Sequence, residues 1–280
     1  MQENNINKLI EIAIAEDIGN GDHSSLSCIP ESANGKVKLL VKEAGILAGI
    51  EITKKVIAQI DKNLKIQVFI EDGAQIKPGD IAFELSGRTI SILQAERLIL
   101  NFMQRMSGIA TLTKIYVDKI SDLKTKILDT RKTTPGLRLI EKQAVKIGGG
   151  TNHRIGLFDM MMLKDNHIDF AGGIENAIIK ANEYKKAKNL NIKIEIEVRN
   201  FEELNKVLQN GNIDIIMLDN FTVADTEKAV KLIAQRYQTE SSGGITLETL
   251  RDYALCGVDF ISIGALTHQI KSLDLSLKAF

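Results

Sequence analysis

The sequence predicts an α/β protein in two parts. Residues 1–111 read as an N-terminal α+β domain. Residues 112–269 read as parallel strands alternating with helices that close, or nearly close, into a barrel. Three observations carry this reading. From about residue 112, short apolar runs alternate with amphipathic segments of helix length. Before that, Gly- and Pro-rich turns separate isolated strands from helices. The stretch 129–167 also gathers seven Arg or Lys against four Asp or Glu, in a chain of 280 residues with formal net charge +0. Such local cationic focus suits a small, highly anionic ligand better than a polymer.

Taken in order, Ile6, Leu9, Ile10, Ala13 and Ile14 recur at helical spacing, and Gly19-Asn20-Gly21-Asp22 turns the chain. Residues 37–42 and 65–71 alternate as strands, and Gly73-Ala74-Gln75-Ile76-Lys77-Pro78-Gly79-Asp80 follows as a turn-rich connector. Residues 91–106 read as a helix, with Ser91 and Gln94 spaced as a capping box. Leu98, Ile99, Phe102, Met103 and Met106 supply its apolar face. Arg105 lies seven positions after Leu98, about 20° away around the helix, so it points with the apolar side and needs an anion or an interface.

In the second part, strands are expected at 126–130, 158–164, 192–198, 213–218, weakly near 236–240, and at 258–263. Helices fill the gaps at 173–186, 201–209, 223–235 and 247–255. Thr134-Pro135 reads as a helix start, with a hydroxyl cap followed by proline at the first helical position. The polarity of Tyr237-Gln238-Thr239-Glu240 is the weak point of the barrel. The C-terminal ends of parallel strands are where such folds place ligands. Arg131 and Lys132, Lys164, Glu197, Asp219, Ser242-Gly243-Gly244 and Ser262-Ile263-Gly264 all fall there. In 192–198, Lys193, Glu195 and Glu197 share a face, and carboxylates inside a barrel need a partner or a metal. Glycine turns after the last two strands can offer backbone N–H groups to phosphate.

The motifs Asp129-Thr130-Arg131-Lys132-Thr133-Thr134-Pro135-Gly136-Leu137-Arg138, Gly148-Gly149-Gly150, Asn152-His153-Arg154 and Lys164-Asp165-Asn166-His167 stand in order within forty residues. Together they resemble the quinolinate phosphoribosyltransferase family. Asp22-His23-Ser24-Ser25 resembles the family's opening segment, with His23 read as structural.

The resemblance implies an N-terminal α+β sandwich domain, joined by the tail 270–280, followed by an open, incomplete barrel of the type II phosphoribosyltransferase kind. It implies transfer of phosphoribosyl from 5-phosphoribosyl-1-pyrophosphate to quinolinate, giving nicotinate mononucleotide, pyrophosphate and carbon dioxide. Arg105 would reach a partner subunit's site, making a homodimer the minimum unit. With it, Thr130, Arg131, His153, Arg154 and Lys164 would bind substrate, and Lys132 would face the leaving pyrophosphate. Glu197, preferred over Glu195 as nearer the strand end, would hold ribose hydroxyls and Mg2+ with Asp219. Ser242, Gly243, Gly244, Ser262, Ile263 and Gly264 would cradle the 5′-phosphate.

Composition excludes other classes. Balanced charge and 5% aromatics argue against nucleic acid. No run of about 18 apolar residues suggests a membrane span. Two isolated cysteines, Cys28 and Cys256, and an N-terminal segment without signal-peptide layout fit a reduced cytoplasm. Three rivals remain: a molybdenum-transport-associated paralogue, a nicotinate phosphoribosyltransferase, and a phosphate-binding regulatory barrel. The last has no use for Glu197 and Asp219.

Overall fold

The structure, a computed structural model, describes residues 2–280. In chain order the first elements are α1 (Gln2–Ile18), α2 (His23–Cys28), β1 (Asn34–Val41), β2 (Gly45–Ile46), α3 (Ile50–Ile60), β3 (Lys65–Val68), β4 (Gln75–Ile76), β5 (Ile81–Arg88) and α4 (Thr89–Lys119). Then follow β6 (Lys126–Leu128), α5 (Arg138–Ile147), β7 (Met160–Leu163), α6 (Asp165–Ala171), α7 (Ile174–Ala187), β8 (Lys193–Val198) and α8 (Phe201–Asn210). The last are β9 (Ile215–Asp219), α9 (Val223–Ile233), β10 (Gln238–Ser242), α10 (Leu250–Leu255), β11 (Phe260–Ser262), α11 (Ala265–His268) and β12 (Leu275–Ala279).

The chain forms two compact units. One comprises the residues up to Lys114 with Thr133–Gly149 and Ala265–Phe280; the other comprises Ile115–Lys132 and Gly150–Gly264. In the first, an antiparallel sheet runs β12-β1-β5-β3, so the chain's last strand pairs with its first. Leu39, Phe83 and Leu85 are fully buried on it. Helix α3 has no sequence-based counterpart above, although Ile50, Thr53, Val56 and Ile57 form a buried stripe at helical spacing. Its first N–H groups are met from afar: Asp72 Oδ1 accepts from the N–H of Gly49 at 2.7 Å and of Ile50 at 2.9 Å.

Two helix starts differ from expectation. Helix α4 begins at Thr89, and Ser91 lies inside it, donating its hydroxyl to Asp61 at 2.8 Å. The capping box with Gln94 therefore does not form. Thr134-Pro135 opens a turn closed by Leu137 N–H to the Thr134 carbonyl at 3.0 Å, and α5 starts only at Arg138.

The second unit is a six-stranded parallel sheet in the order β6-β11-β10-β9-β8-β7. Its edge strands β6 and β7 share no ladder among the described residues, so the barrel is open. Ile194, Ile196 and Val198 of β8 and Ile216 and Leu218 of β9 face outward. They pack with Ile178, Ala181, Leu204, Val207, Ala229 and Ile233 of α7, α8 and α9. Asn200 and Thr222 cap α8 and α9, accepting from the N–H of Glu203 at 2.9 Å and Asp225 at 3.1 Å.

The other face of β8 is buried too, and this explains why the strand shows no alternation of burial. The expected strand at 158–164 is shorter, because Asp159 accepts the N–H groups of Ile155 and Gly156 at 2.8 and 2.9 Å and folds residues 155–159 into a loop. Phe158, the first residue of that expected strand, and its neighbour Leu157 are 70% and 71% exposed in it. After β7 the chain enters the short helix α6, which the sequence did not announce.

Candidate active site

Parallel pairing places side chains on one face in rows. Glu195 pairs with Ile215, Glu197 with Met217, Glu240 with Met217, and Ser242 with Asp219. Since side chains alternate, Glu195, Glu197, Met217, Asp219, Glu240 and Ser242 all share the inner face. By register Glu197 and Glu240 share the Met217 row, yet contacts sort the polar residues into two layers. The upper one holds Glu197, Asp219, Ser242 and Ser262, where Glu197 meets Lys164; the lower one holds Glu195 and Glu240, which both meet His153.

In the upper layer, Lys164 directly follows β7 and its Nζ lies 3.3 Å from Glu197 Oε2. Burial pushes the Glu197 carboxyl up, the Lys164 ammonium pulls it down, and the neighbouring charge of Asp219 pushes it up again. Asp219 also accepts from Asn220 Nδ2 at 2.8 Å. These are two oxygen-donor carboxylates at the ends of adjacent strands, with the charge of Asp219 raising the cost of that on Glu197. A hard divalent cation suits that pair.

The loop after β10 is built for close approach. Gly243 (φ 98°) and Gly244 (φ 61°) both lie in the left-handed region. A Cβ at Gly243 would overlap the side chain of Asn220, whereas one at Gly244 would meet open space. The Ser262 hydroxyl donates to the Ser242 hydroxyl at 3.0 Å, tying the ends of β10 and β11 together. Ile263 donates its N–H to the Leu128 carbonyl at 2.9 Å and its side chain is buried, so any part of Ile263 at the rim is main chain.

Thr130, Arg131 and Lys132 follow β6, and the Lys132 N–H donates to Thr130 Oγ1 at 3.0 Å. Arg154 is 9% exposed, and its Nη1 donates to the Met160 carbonyl at 3.2 Å. Burial disfavours its charge, and the nearby Arg131 guanidinium does so further. Glu195 and Asp159 offset part of that cost, and a buried guanidinium beside a second one favours an added anion.

Not every expected residue joins this group. His153 turns inward: its Nε2 lies 2.9 Å from Glu195 Oε2 and 3.4 Å from Glu240 Oε2, in the lower layer. Its ring is engaged by these two carboxylates. Glu195 and Glu197, left undecided by the sequence, thus have different partners, His153 and Lys164. Arg105 belongs to the first unit, where it donates to Glu141 Oε1 and to Thr134 Oγ1. Sequence reasoning missed Glu240, Glu141 and Asp129. The polarity of β10 was the available signal for Glu240: it is the carboxylate of a strand that lines the barrel interior.

Comparison with known proteins agrees with this geometry. The family described as quinolinate phosphoribosyl transferase, N-terminal domain, matches residues 22–107, and its C-terminal domain matches 109–278. A chloroplastic nicotinate-nucleotide pyrophosphorylase [carboxylating] of Arabidopsis thaliana is 47% identical over 285 residues, covering 96% of this chain and 81% of its own. A probable nicotinate-nucleotide pyrophosphorylase [carboxylating] of Bacillus subtilis is 42% identical, covering 97% and 92%. Among solved structures, the nicotinate-nucleotide pyrophosphorylase of Francisella tularensis superposes with TM-score 0.92 at 44% identity, covering 99% and 96%. Both domains, the open barrel and the four sequence motifs converge, and the chain belongs to the quinolinate phosphoribosyltransferase family.

Proposed function

We propose that the chain transfers the phosphoribosyl group of 5-phosphoribosyl-1-pyrophosphate to quinolinate, releasing pyrophosphate and carbon dioxide and leaving nicotinate mononucleotide. The observation that carries this reading is the buried Arg154 guanidinium with that of Arg131 near it, in the same unit as Lys164. Planar guanidiniums match the two adjacent carboxylates of a pyridine dicarboxylate. Thr130 and Lys164 complete that half of the site, and Arg105 of a partner subunit adds a further cation in a homodimer.

The other half takes the sugar phosphate. Ser242, Gly243, Gly244, Ser262, the main chain of Ile263, and Gly264 surround the 5′-phosphate with N–H and hydroxyl donors. Glu197 and Asp219 bind ribose hydroxyls and Mg2+, which the oxygen-only donor pair fits. Bound there, Mg2+ supplies positive charge against the pyrophosphate. Lys132 adds its ammonium to the same leaving group.

The reaction needs no nucleophilic side chain. The C1′–oxygen bond breaks toward pyrophosphate, and the carboxylates of Glu197 and Asp219 stabilise the positive charge that develops on the sugar. The pyridine nitrogen then bonds to C1′. Its positive charge draws the electrons of the adjacent carbon–carboxylate bond, carbon dioxide leaves, and a proton replaces it on the ring. Positioning and electrostatics do this work. The balanced composition and the two separate cysteines support a cytoplasmic setting. Among the described residues, no helix is long and apolar enough to cross a membrane.

Calorimetric titration tests the substrate assignment. Quinolinate is expected to bind more tightly than nicotinate, with Arg154→Ala erasing the difference. Equal binding of the two acids by the unaltered protein would refute it.

A further inference from the structure

Beneath the rim, three ionisable side chains meet in the barrel interior. Glu195 and Glu240 are 0% exposed, and between them stands the ring of His153. Burial disfavours the charged form of that ring, while the two carboxylates favour it. Among the described residues, neither Glu240 oxygen has a partner of full hydrogen-bond geometry, although Oε2 lies 3.4 Å from His153 Nε2. Two buried acids around one imidazole are costly, and an apolar trio of similar volume would be more stable. A barrel interior that holds them anyway uses them for something other than stability.

What the ring supports is visible on its other side. The Arg154 N–H donates to His153 Nδ1 at 2.8 Å. The main-chain N–H of His153 donates to Asp129 Oδ1 at 2.8 Å, and Asp129 Oδ2 accepts from Asn152 Nδ2 at 2.5 Å. Asp129 is fully buried and directly precedes Thr130, Arg131 and Lys132. The imidazole thus joins the interiors of β8 and β10 to segment 152–154, and the main chain of His153 ties that segment through Asp129 to 129–132; the two segments carry Arg131, Lys132 and Arg154.

We propose that Glu240, with Glu195, is a positioning residue: it fixes the His153 ring and through it the cations that receive the dicarboxylate. This rests on the function proposed above and names the device that sets its substrate geometry. The three donor atoms, all within 4.8 Å of one another, would also suit a metal ion. The tautomer argues otherwise. With Nδ1 accepting from Arg154, the ring's proton sits on Nε2, the atom a metal would need.

The test compares Glu240→Gln, which keeps a hydrogen-bonding group beside Nε2, with Glu240→Leu, which removes it. Glu240→Leu is expected to raise the quinolinate KM about tenfold, with the phosphoribosyl pyrophosphate KM within about threefold of wild type. Glu240→Gln should restore the quinolinate KM to within about threefold of wild type. Calorimetry with phthalate, a ring bearing two adjacent carboxylates, should show the same loss for Glu240→Leu. If Glu240→Leu does not fold, His153→Phe, which keeps a ring and removes its N–H, must show the same selective loss. Wild-type protein that binds phthalate but never turns over quinolinate would refute the proposed function; the phthalate titrations of the variants would still decide the positioning role. A folded Glu240→Leu with unchanged quinolinate KM and phthalate affinity, or equal losses for both substrates, would overturn the proposal. So would a stoichiometric metal, found in dialysed wild type and missing from Glu240→Leu.

Discussion

Glu141 grips Arg105 at two points: its Oε1 accepts from Nε at 2.9 Å and from Nη2 at 2.6 Å, while its Oε2 accepts the Thr134 N–H at 3.2 Å. The carboxylate is fully buried and the guanidinium partly exposed. Glu141 therefore sets the direction in which Arg105 leaves α4. Glu141→Ala should cost about 2 kcal/mol in urea denaturation, because it strips a partly buried cation of its partner.

If Arg105 serves a partner subunit's site, subunit mixing reveals it. Arg105→Ala and Lys164→Ala are each expected to be inactive alone and folded. Refolded together in equal amounts, they should recover about a quarter of wild-type activity, since half the dimers carry one intact site. No recovery would place Arg105 outside the partner's site.

The glycine loop gives a graded test. Gly243→Ala meets the side chain of Asn220 and a left-handed backbone, whereas Gly244→Ala meets only the backbone penalty. The first should raise the KM for phosphoribosyl pyrophosphate strongly and cost about 2 kcal/mol of stability; the second should cost about 1 kcal/mol. Steady-state kinetics and denaturation of both variants check the order.

Metal removal tests the carboxylate pair. Chelation should abolish turnover, added Mg2+ should restore it, and Glu197→Gln or Asp219→Asn should each lower kcat on the order of 10². Retained activity in excess chelator would rule out the metal.

The cysteines offer a check on local environment. Burial, followed by the nearby charges of Glu227 and Asp252, pushes the Cys256 thiol up, and Cys28 is exposed. A raised thiol holds less thiolate at pH 8, so a disulfide reagent should label Cys28 first. Labelling of Cys256 should quicken as pH rises.

The alternation of strands and helices and the residues at strand ends were legible because they depend on local periodicity and spacing. Lys164, Glu197, Asp219 and Gly243 lie where such reading puts them. What escaped depended on partners far along the chain. Asp72 caps a helix more than twenty residues earlier, Ser91 serves Asp61 instead of its own helix end, and His153 meets Glu240 across the barrel interior. The polar β10 looked weak because its inner face was judged as an ordinary core. That face instead lines a polar interior, where Glu240 and Ser242 have partners.

Product stoichiometry tests the assigned reaction most directly. With quinolinate labelled in the carboxyl next to the ring nitrogen, phosphoribosyl pyrophosphate and Mg2+, we expect labelled carbon dioxide and pyrophosphate in equal amounts, and neither product when nicotinate replaces quinolinate. Pyrophosphate released without carbon dioxide, or turnover of nicotinate at a comparable rate, would contradict it.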